Sequence, residues 1–293
     1  MNKKLRQLMI LFFAVAFAFS GLQLFRQHQA YRVAQDSQSA ALEAVMSQTE
    51  VPVESAEIPE DKVPLISRPE ERAAPLLDAV PEPIFTGKET DWTLDDATRF
   101  LMDMDLEALR QTNPDVLGWI YIPDTVISYP LMKAKDNQEY LYQTWDGKYS
   151  KYGSIFLECR NSHDLSDFNT LIYGHNMLTE DMFGTLNAYK AQDYYESHPS
   201  VYIRTDEGVR RYDIFSSYEA KVVSNTYRLI FEDDARKEES LGLYTSSSLL
   251  ESELTPTVED HILTLSTCTG RGTPDLRFVV QAILVQQTEK AGS

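Results

Sequence analysis

Cysteine is scarce in this 293-residue chain: there are two, Cys159 and Cys268. They sit in unlike contexts, one after a strand-like GSIFLE run and one at the end of a polar LSTC segment, so both are read as free thiols rather than as a disulfide. Cations are outnumbered too. The 27 Lys and Arg against 45 Asp and Glu give a formal net charge of -18. That excludes a nucleic-acid partner, because binding phosphates needs clustered Lys and Arg. No pair of His or Cys has tight metal-ligand spacing, and no glycine-rich loop opens a helix as a phosphate site requires. Neither a metal nor any other cofactor is therefore expected. Internal repeats are lacking as well. A hydrophobic content of 43% and an aromatic content of 11% do allow a sizeable core.

The acidity is uneven. Residues 1–30 carry Lys3, Lys4, Arg6 and Arg26 and no acid, whereas residues 48–93 carry eleven acids and four bases. The sequence has one long apolar run, Leu8 to Phe25. A membrane-spanning helix needs roughly 20 apolar residues, and a cleaved signal core is usually shorter, about 7–15. The run is read as an uncleaved signal-anchor, although Ala16-Phe17-Ala18 leaves cleavage open. The basic residues 1–7 then lie in the cytoplasm and the rest outside, making a single-pass protein of the cell membrane with an extracytoplasmic domain. Ala30 to Gln48 has helical composition and reads as a polar stalk. Val51 to Glu89, rich in Pro, Glu and Ala, reads as a semi-extended spacer, and residues 26–91 together form stalk and linker.

The folded domain is placed at 92–288, with 289–293 as a tail. Thr93 to Gln111 reads as one amphipathic helix capped by Thr93, with Leu94, Ala97, Leu101, Met104 and Ala108 on one face. Strands are expected at 118–122, 125–131, 153–157, 170–173, 201–205, 212–223, 262–267 and 278–285, and a helix at 182–195. Short strands with turn signals and few long helices indicate a mainly β protein, closed or nearly closed into a barrel.

The chemistry centres on His261 to Phe278, HILTLSTCTGRGTPDLRF. Two strands meet at a tight loop, with Cys268 at the end of one and Arg277 at the start of the next. Alternation puts Ser266 and Cys268 on one face. A cysteine nucleophile needs a base and an oxyanion donor. Of the five histidines, His175 stands out, at a strand end in YGHNM, where Gly174 lets the backbone turn and Tyr173 shares its face. Spacing alone leaves open whether His175, Cys268 and Arg277 meet, and a structural role for each remains an alternative.

LSTC with a downstream Arg, YGHNM upstream and the apolar N-terminal run together resemble a sortase, one of the cysteine transpeptidases that attach surface proteins to Gram-positive cell walls. NPDVLGWIYIPDTVISYPLM, DNQEYL, GSIFLE, NTLIYGHNM, MFGTL, HPSVYI and TLSTC are similar, in order and spacing, to class B sortases over about residues 94–287. The resemblance implies an eight-stranded sortase-like β-barrel with an N-terminal helix and, between Val223 and His261, a helix-bearing loop beside the active site. It implies that Cys268 attacks the threonine carbonyl of a C-terminal sorting signal, that His175 is the acid/base, and that Arg277 donates to the oxyanion or to the bound peptide, with the backbone N–H of Thr269 as a second donor. Tyr173, Ser266, Asn137 and Leu141 match residues lining the peptide groove of class B relatives. The implied partners are surface proteins carrying the signal and an amine acceptor, a peptidoglycan cross-bridge or another amine. The chain departs from the family at Thr269-Gly270-Arg271, where some members carry an acid, so an essential Asp two residues after the cysteine is ruled out. Arg271 is a rival to Arg277. Cys159 stands where an aromatic residue is expected and is read as structural. Three other readings are carried: a class B-like pilin polymerase, disfavoured by the absence of an apolar tail after QQTEKAGS; a different secreted cysteine peptidase or amidase, disfavoured because its histidine would follow its cysteine; and a non-catalytic binding domain.

Overall fold

The computed structural model describes residues 3–46, 95–177, 179–269 and 275–289. The linker, Trp92, Thr93, Leu94 and Arg271 lie outside them, as does the tail beyond Glu289. Eight strands close into a barrel: β1 Val116–Tyr121, β2 Ser128–Met132, β3 Ile155–Leu157, β4 Asn169–Tyr173, β5 Ser200–Thr205, β6 Gly208–Lys221, β7 Ile262–Cys268 and β8 Leu276–Glu289. Their order around the barrel is β1-β2-β3-β4-β7-β8-β6-β5, and β5 closes onto β1. Two neighbouring pairs, β2 with β3 and β4 with β7, run parallel, and the rest are antiparallel. Closure leaves no sheet edge to be capped. The expected strands are all present, with β6 and β8 longer than their sequence patterns imply.

Inward-facing Ile120, Leu131, Ile172, Ile203, Tyr212, Leu263, Leu265 and Val280 fill the barrel. Two further apolar clusters lie outside it. In one, α5 (Asp234–Ser246) and the loop around it cover β6–β8 through Leu241 and Tyr244 against Phe215, Tyr218 and Val279. This is the helix-bearing loop between β6 and β7. In the other, Leu101, Met104, Leu106 and Leu109 pack on Trp119, Phe156 and Tyr202. The helix expected over 93–111 is two helices, α2 (Asp96–Met102) and α3 (Leu106–Arg110). Asp95 caps the first by accepting from the Thr98 N–H at 2.7 Å, and Asp105 caps the second. Aspartate is a strong N-cap, so Asp105 begins a new helix where the apolar spacing alone reads as continuous.

Residues 3–46 form one helix, α1 (Lys3–Met46). Its C-terminal part is packed rather than standing free as a stalk. Ala34, Ser37, Ala41 and Val45 are buried at helical spacing, a stripe of small residues that lets the backbone approach the barrel. Trp145 Nε1 donates to the Ser37 carbonyl at 2.7 Å, and Tyr31 donates to Asp181 at 3.0 Å. The N-terminal part bears on the anchor expectation. Among the described residues no helix is long and apolar enough to cross a membrane. Phe12, Phe13, Val15, Phe17, Phe19, Leu22, Leu24 and Phe25 are nonetheless all exposed there.

The helix expected at 182–195 is instead a 3-10 turn, Gly184–Lys190, followed by α4, Gln192–Ser197. Met182 adopts a left-handed φ of 53°, which interrupts helical continuity before the turn begins.

Candidate active site

β4 and β7 run side by side in the same direction, with Tyr173 opposite Ser266. Each strand carries its candidate residue two positions beyond that pair, so the register brings His175 and Cys268 to the same end of the two strands. β7 and β8 are antiparallel, and there Cys268 lies directly opposite Arg277. Cross-strand partners have Cβ atoms about 4.5–5.5 Å apart, so the two side chains start from neighbouring positions; the Arg277 guanidinium donates to the Leu276 carbonyl at 3.0 Å. All three residues line one open cleft of about 410 Å³. Cys268 is exposed within it.

Local contacts fix the histidine. The Gly174 N–H donates to the Ser266 carbonyl at 3.2 Å, and the Phe183 N–H donates to the His175 carbonyl at 3.0 Å. Gly174 has no left-handed φ. What requires glycine is space, because an added Cβ would come within 2.6 Å of the Phe183 ring. The sequence reading of Gly174 as a turn residue is corrected accordingly. The imidazole Nε2 lies 2.8 Å from the Leu141 carbonyl. A carbonyl only accepts, so Nε2 carries the proton and Nδ1 the lone pair. Burial pushes the imidazole below its ordinary pKa, outweighing the opposing effect of the Leu141 hydrogen bond. The ring is therefore neutral at pH 7. Asn176, next in sequence, donates to the Cys268 carbonyl at 2.7 Å and ties the two strand ends together.

Asn137, Leu141, Tyr173 and Ser266 also line the cleft. Among the described residues Thr269 does not line it, and its side chain is buried. Tyr227, from the loop before α5, exchanges a 3.0 Å hydrogen bond with the Ser266 hydroxyl and brings that loop to the cleft.

Sequence reasoning missed three further lining residues, Phe156, Glu158 and Arg160, in and just after β3. Glu158 is 1% exposed. Burial would raise its pKa, but donors from Arg160, Tyr173 and Asn137 outweigh it and hold the carboxyl at about 2. GSIFLE marks the strand, yet nothing local separates Glu158 from the many surface acids. Cys159 beside it is a free thiol, pushed up by burial and by the Glu158 charge.

A strand-end thiol, imidazole and guanidinium at the mouth of such a barrel define a family. Residues 120–285 match the sortase domain model, and the chain belongs to the sortase family. Within that family its relatives are of class B. It is 33% identical over 162 residues to sortase B of Staphylococcus aureus, covering 55% of this chain and 66% of that protein. It is 34% identical over 184 residues to sortase B of Listeria monocytogenes, covering 62% of this chain and 74% of that one. The aligned span is thus just under two thirds of the Staphylococcus aureus protein. Among solved structures, a sortase B–substrate complex from Staphylococcus aureus superposes with a TM-score of 0.59 at 32% identity, over 62% of this chain and 85% of that one.

Proposed function

We propose that the chain is a class B cysteine transpeptidase that cleaves a C-terminal sorting signal after threonine and joins that threonine to an amine of the cell wall. The observation that carries this reading is the register: Cys268 opposite Arg277, and His175 at the end of the parallel neighbour, in one open cleft.

In the first half-reaction the Cys268 thiol passes its proton to His175 Nδ1, and the sulfur attacks the threonine carbonyl. Arg277, with the backbone N–H of Thr269, stabilises the oxyanion. The imidazolium gives its proton to the departing amine nitrogen as the C–N bond breaks, leaving a thioester. In the second half the acceptor amine attacks the thioester and gives up a proton to His175. The C–S bond breaks, and the proton returns to sulfur. The Leu141 carbonyl holds Nε2–H throughout, so one nitrogen serves every transfer. Asn137, Leu141, Tyr173 and Ser266 bind the donor peptide along the cleft.

The N-terminal part of α1 holds the domain at the membrane with its catalytic face outside. The row of exposed large apolar side chains between Phe12 and Phe25 supports this, with Lys3, Lys4 and Arg6 preceding it. Alkaline carbonate extraction of cells is expected to leave the chain in the pellet; recovery in the supernatant overturns the anchor.

The activity is tested by incubating the detergent-solubilised full chain with a set of sorting-signal peptides and an amine, and weighing the products. Cleavage after threonine together with a threonine–amine adduct is expected. No cleavage of any peptide overturns the reading.

A further inference from the structure

Glu158 is a buried charge in the cleft that the proposed chemistry leaves unused. Both its oxygens are engaged. Oε1 accepts from Arg160 Nε at 2.8 Å and from the Arg160 N–H at 3.3 Å. Oε2 accepts from Asn137 Nδ2 at 2.7 Å and from the Tyr173 hydroxyl at 3.0 Å. Asn137, Tyr173 and Arg160 come from the β2–β3 connection, the end of β4 and the turn after β3, and all three line the cleft; the adjacent Cys159 thiol adds a weaker contact to Oε1 at 3.5 Å. Asn137 is held at its other end as well, where its Oδ1 accepts from the Cys159 N–H at 2.8 Å. The backbone beneath is pinned by Lys133, whose Nζ donates to the carbonyls of Glu158, Cys159 and Asn161 at 2.8, 2.9 and 2.6 Å.

We propose that Glu158 is a positioning residue for the donor peptide, an anionic hub that aligns Asn137, Tyr173 and Arg160 into one wall of the cleft. This rests on the transpeptidase reading and adds to it the residue that sets the shape of the donor subsite. With five donors on its two oxygens, the Cys159 thiol at 3.5 Å included, Glu158 has little capacity left for a ligand; it acts through the residues it holds. A carboxyl that stays ionised down to about pH 2 has no proton to lend near neutrality, which separates it from a general acid. The wall it builds presents an amide, a phenol and an exposed guanidinium, groups suited to the carbonyls and carboxamides of an extended peptide.

Glu158→Gln tests the hub because it keeps the size and loses the charge. Whichever way the new amide points, its NH2 meets donors: Asn137 and Tyr173 on one side, or Arg160 on the other. At least one wall residue must swing away. The KM for the sorting peptide is expected to rise about ten- to a hundredfold while kcat stays within about threefold, the pattern of lost substrate positioning. Glu158→Asp, which keeps the charge, is expected to recover part of the KM, and the rate of Cys268 alkylation by iodoacetamide is expected to stay unchanged in both variants. An unchanged KM in Glu158→Gln overturns the proposal, whether kcat is unchanged or falls. Should the Gln variant not fold, Asn137→Ala and Glu158→Asp are measured singly and together. Non-additive effects on KM support the hub, and additive ones overturn it. A wild-type chain that cleaves no peptide removes the reading beneath the proposal, and the proposal with it; a wild-type chain that cleaves normally leaves the variant ratios to decide the hub alone.

Discussion

Two strand ends beside one cleft carry a cysteine, and the two sit in opposite surroundings. At the end of β3, Cys159 follows a buried carboxylate: its sulfur sits 3.5 Å from Glu158 Oε1, and burial and that charge both push the thiol up. At the end of β7, Cys268 is exposed in a cleft that His175 and its cross-strand partner Arg277 also line. A thiolate is opposed by a negative neighbour and by burial, and both act on Cys159, whereas Cys268 is exposed. The two ends are also complementary. On the proposed reading, Glu158 orders the donors that hold the peptide, and Cys268 is the thiol that attacks it.

The largest effect expected from breaking this contrast comes from exchanging the cysteines one at a time. Cys268→Ala is expected to abolish cleavage with the fold intact, and Cys159→Ala to leave turnover within a few-fold of wild type. Iodoacetamide at pH 7 followed by mass mapping is expected to modify Cys268 first. Faster labelling of Cys159, or turnover surviving Cys268→Ala, would place the nucleophile elsewhere.

Removing the cation sharpens the comparison next. Arg277→Ala is expected to lower kcat about 10²–10³-fold, the usual cost of one lost oxyanion donor. Arg271→Ala is expected to cost far less, since Arg277 holds the register position opposite Cys268. The reverse ranking would hand the role to Arg271.

How much of this was legible beforehand differs between the two ends for a physical reason. The β7–β8 end is a local hairpin. Its apolar runs and the glycines and proline between them mark two strands and a turn, so Cys268 and Arg277 were visible at the two strand ends, while the register that sets them opposite each other was not. His175 was visible as a strand-end residue, but its meeting with Cys268 depends on parallel pairing of β4 with β7, which no local period encodes. The β3 end was largely invisible. Glu158 is defined by donors from Asn137 and Tyr173, well away in sequence, and an acid in an acidic chain is read as solvated. The docked part of α1 was missed because its buried stripe, Ala34, Ser37 and Ala41, is made of small residues that carry little hydrophobic signal. The α2–α3 break went unread because the apolar spacing runs through it, while the capping aspartate that ends the continuity is polar.

The smallest effect separates the two ends by pH. Glu158 keeps its charge down to about pH 2, so the β3 wall stays assembled throughout the mildly acidic range. Its folded pKa lies below the unfolded value of 4.5, so the stability it supplies is present above pH 4.5 and is lost only as pH falls from there toward 2. His175 is shifted the same way, but for a group that must stay neutral to accept the thiol proton. Its protonation removes the base, and because the folded pKa is depressed, that protonation begins below the ordinary value of about 6.5. The kcat/KM for the sorting peptide is therefore expected to be level through neutrality and to fall only below about pH 6.5. Near-UV circular dichroism is expected to stay unchanged across the same interval, because the Glu158 network is intact there. Burying a neutral imidazole also costs stability as pH drops below 6.5, so Tm is expected to decline slightly together with activity, and His175→Gln to remove that slope. An activity limb above pH 6.5, or a spectral change accompanying it, would show that something other than a buried neutral imidazole limits the reaction.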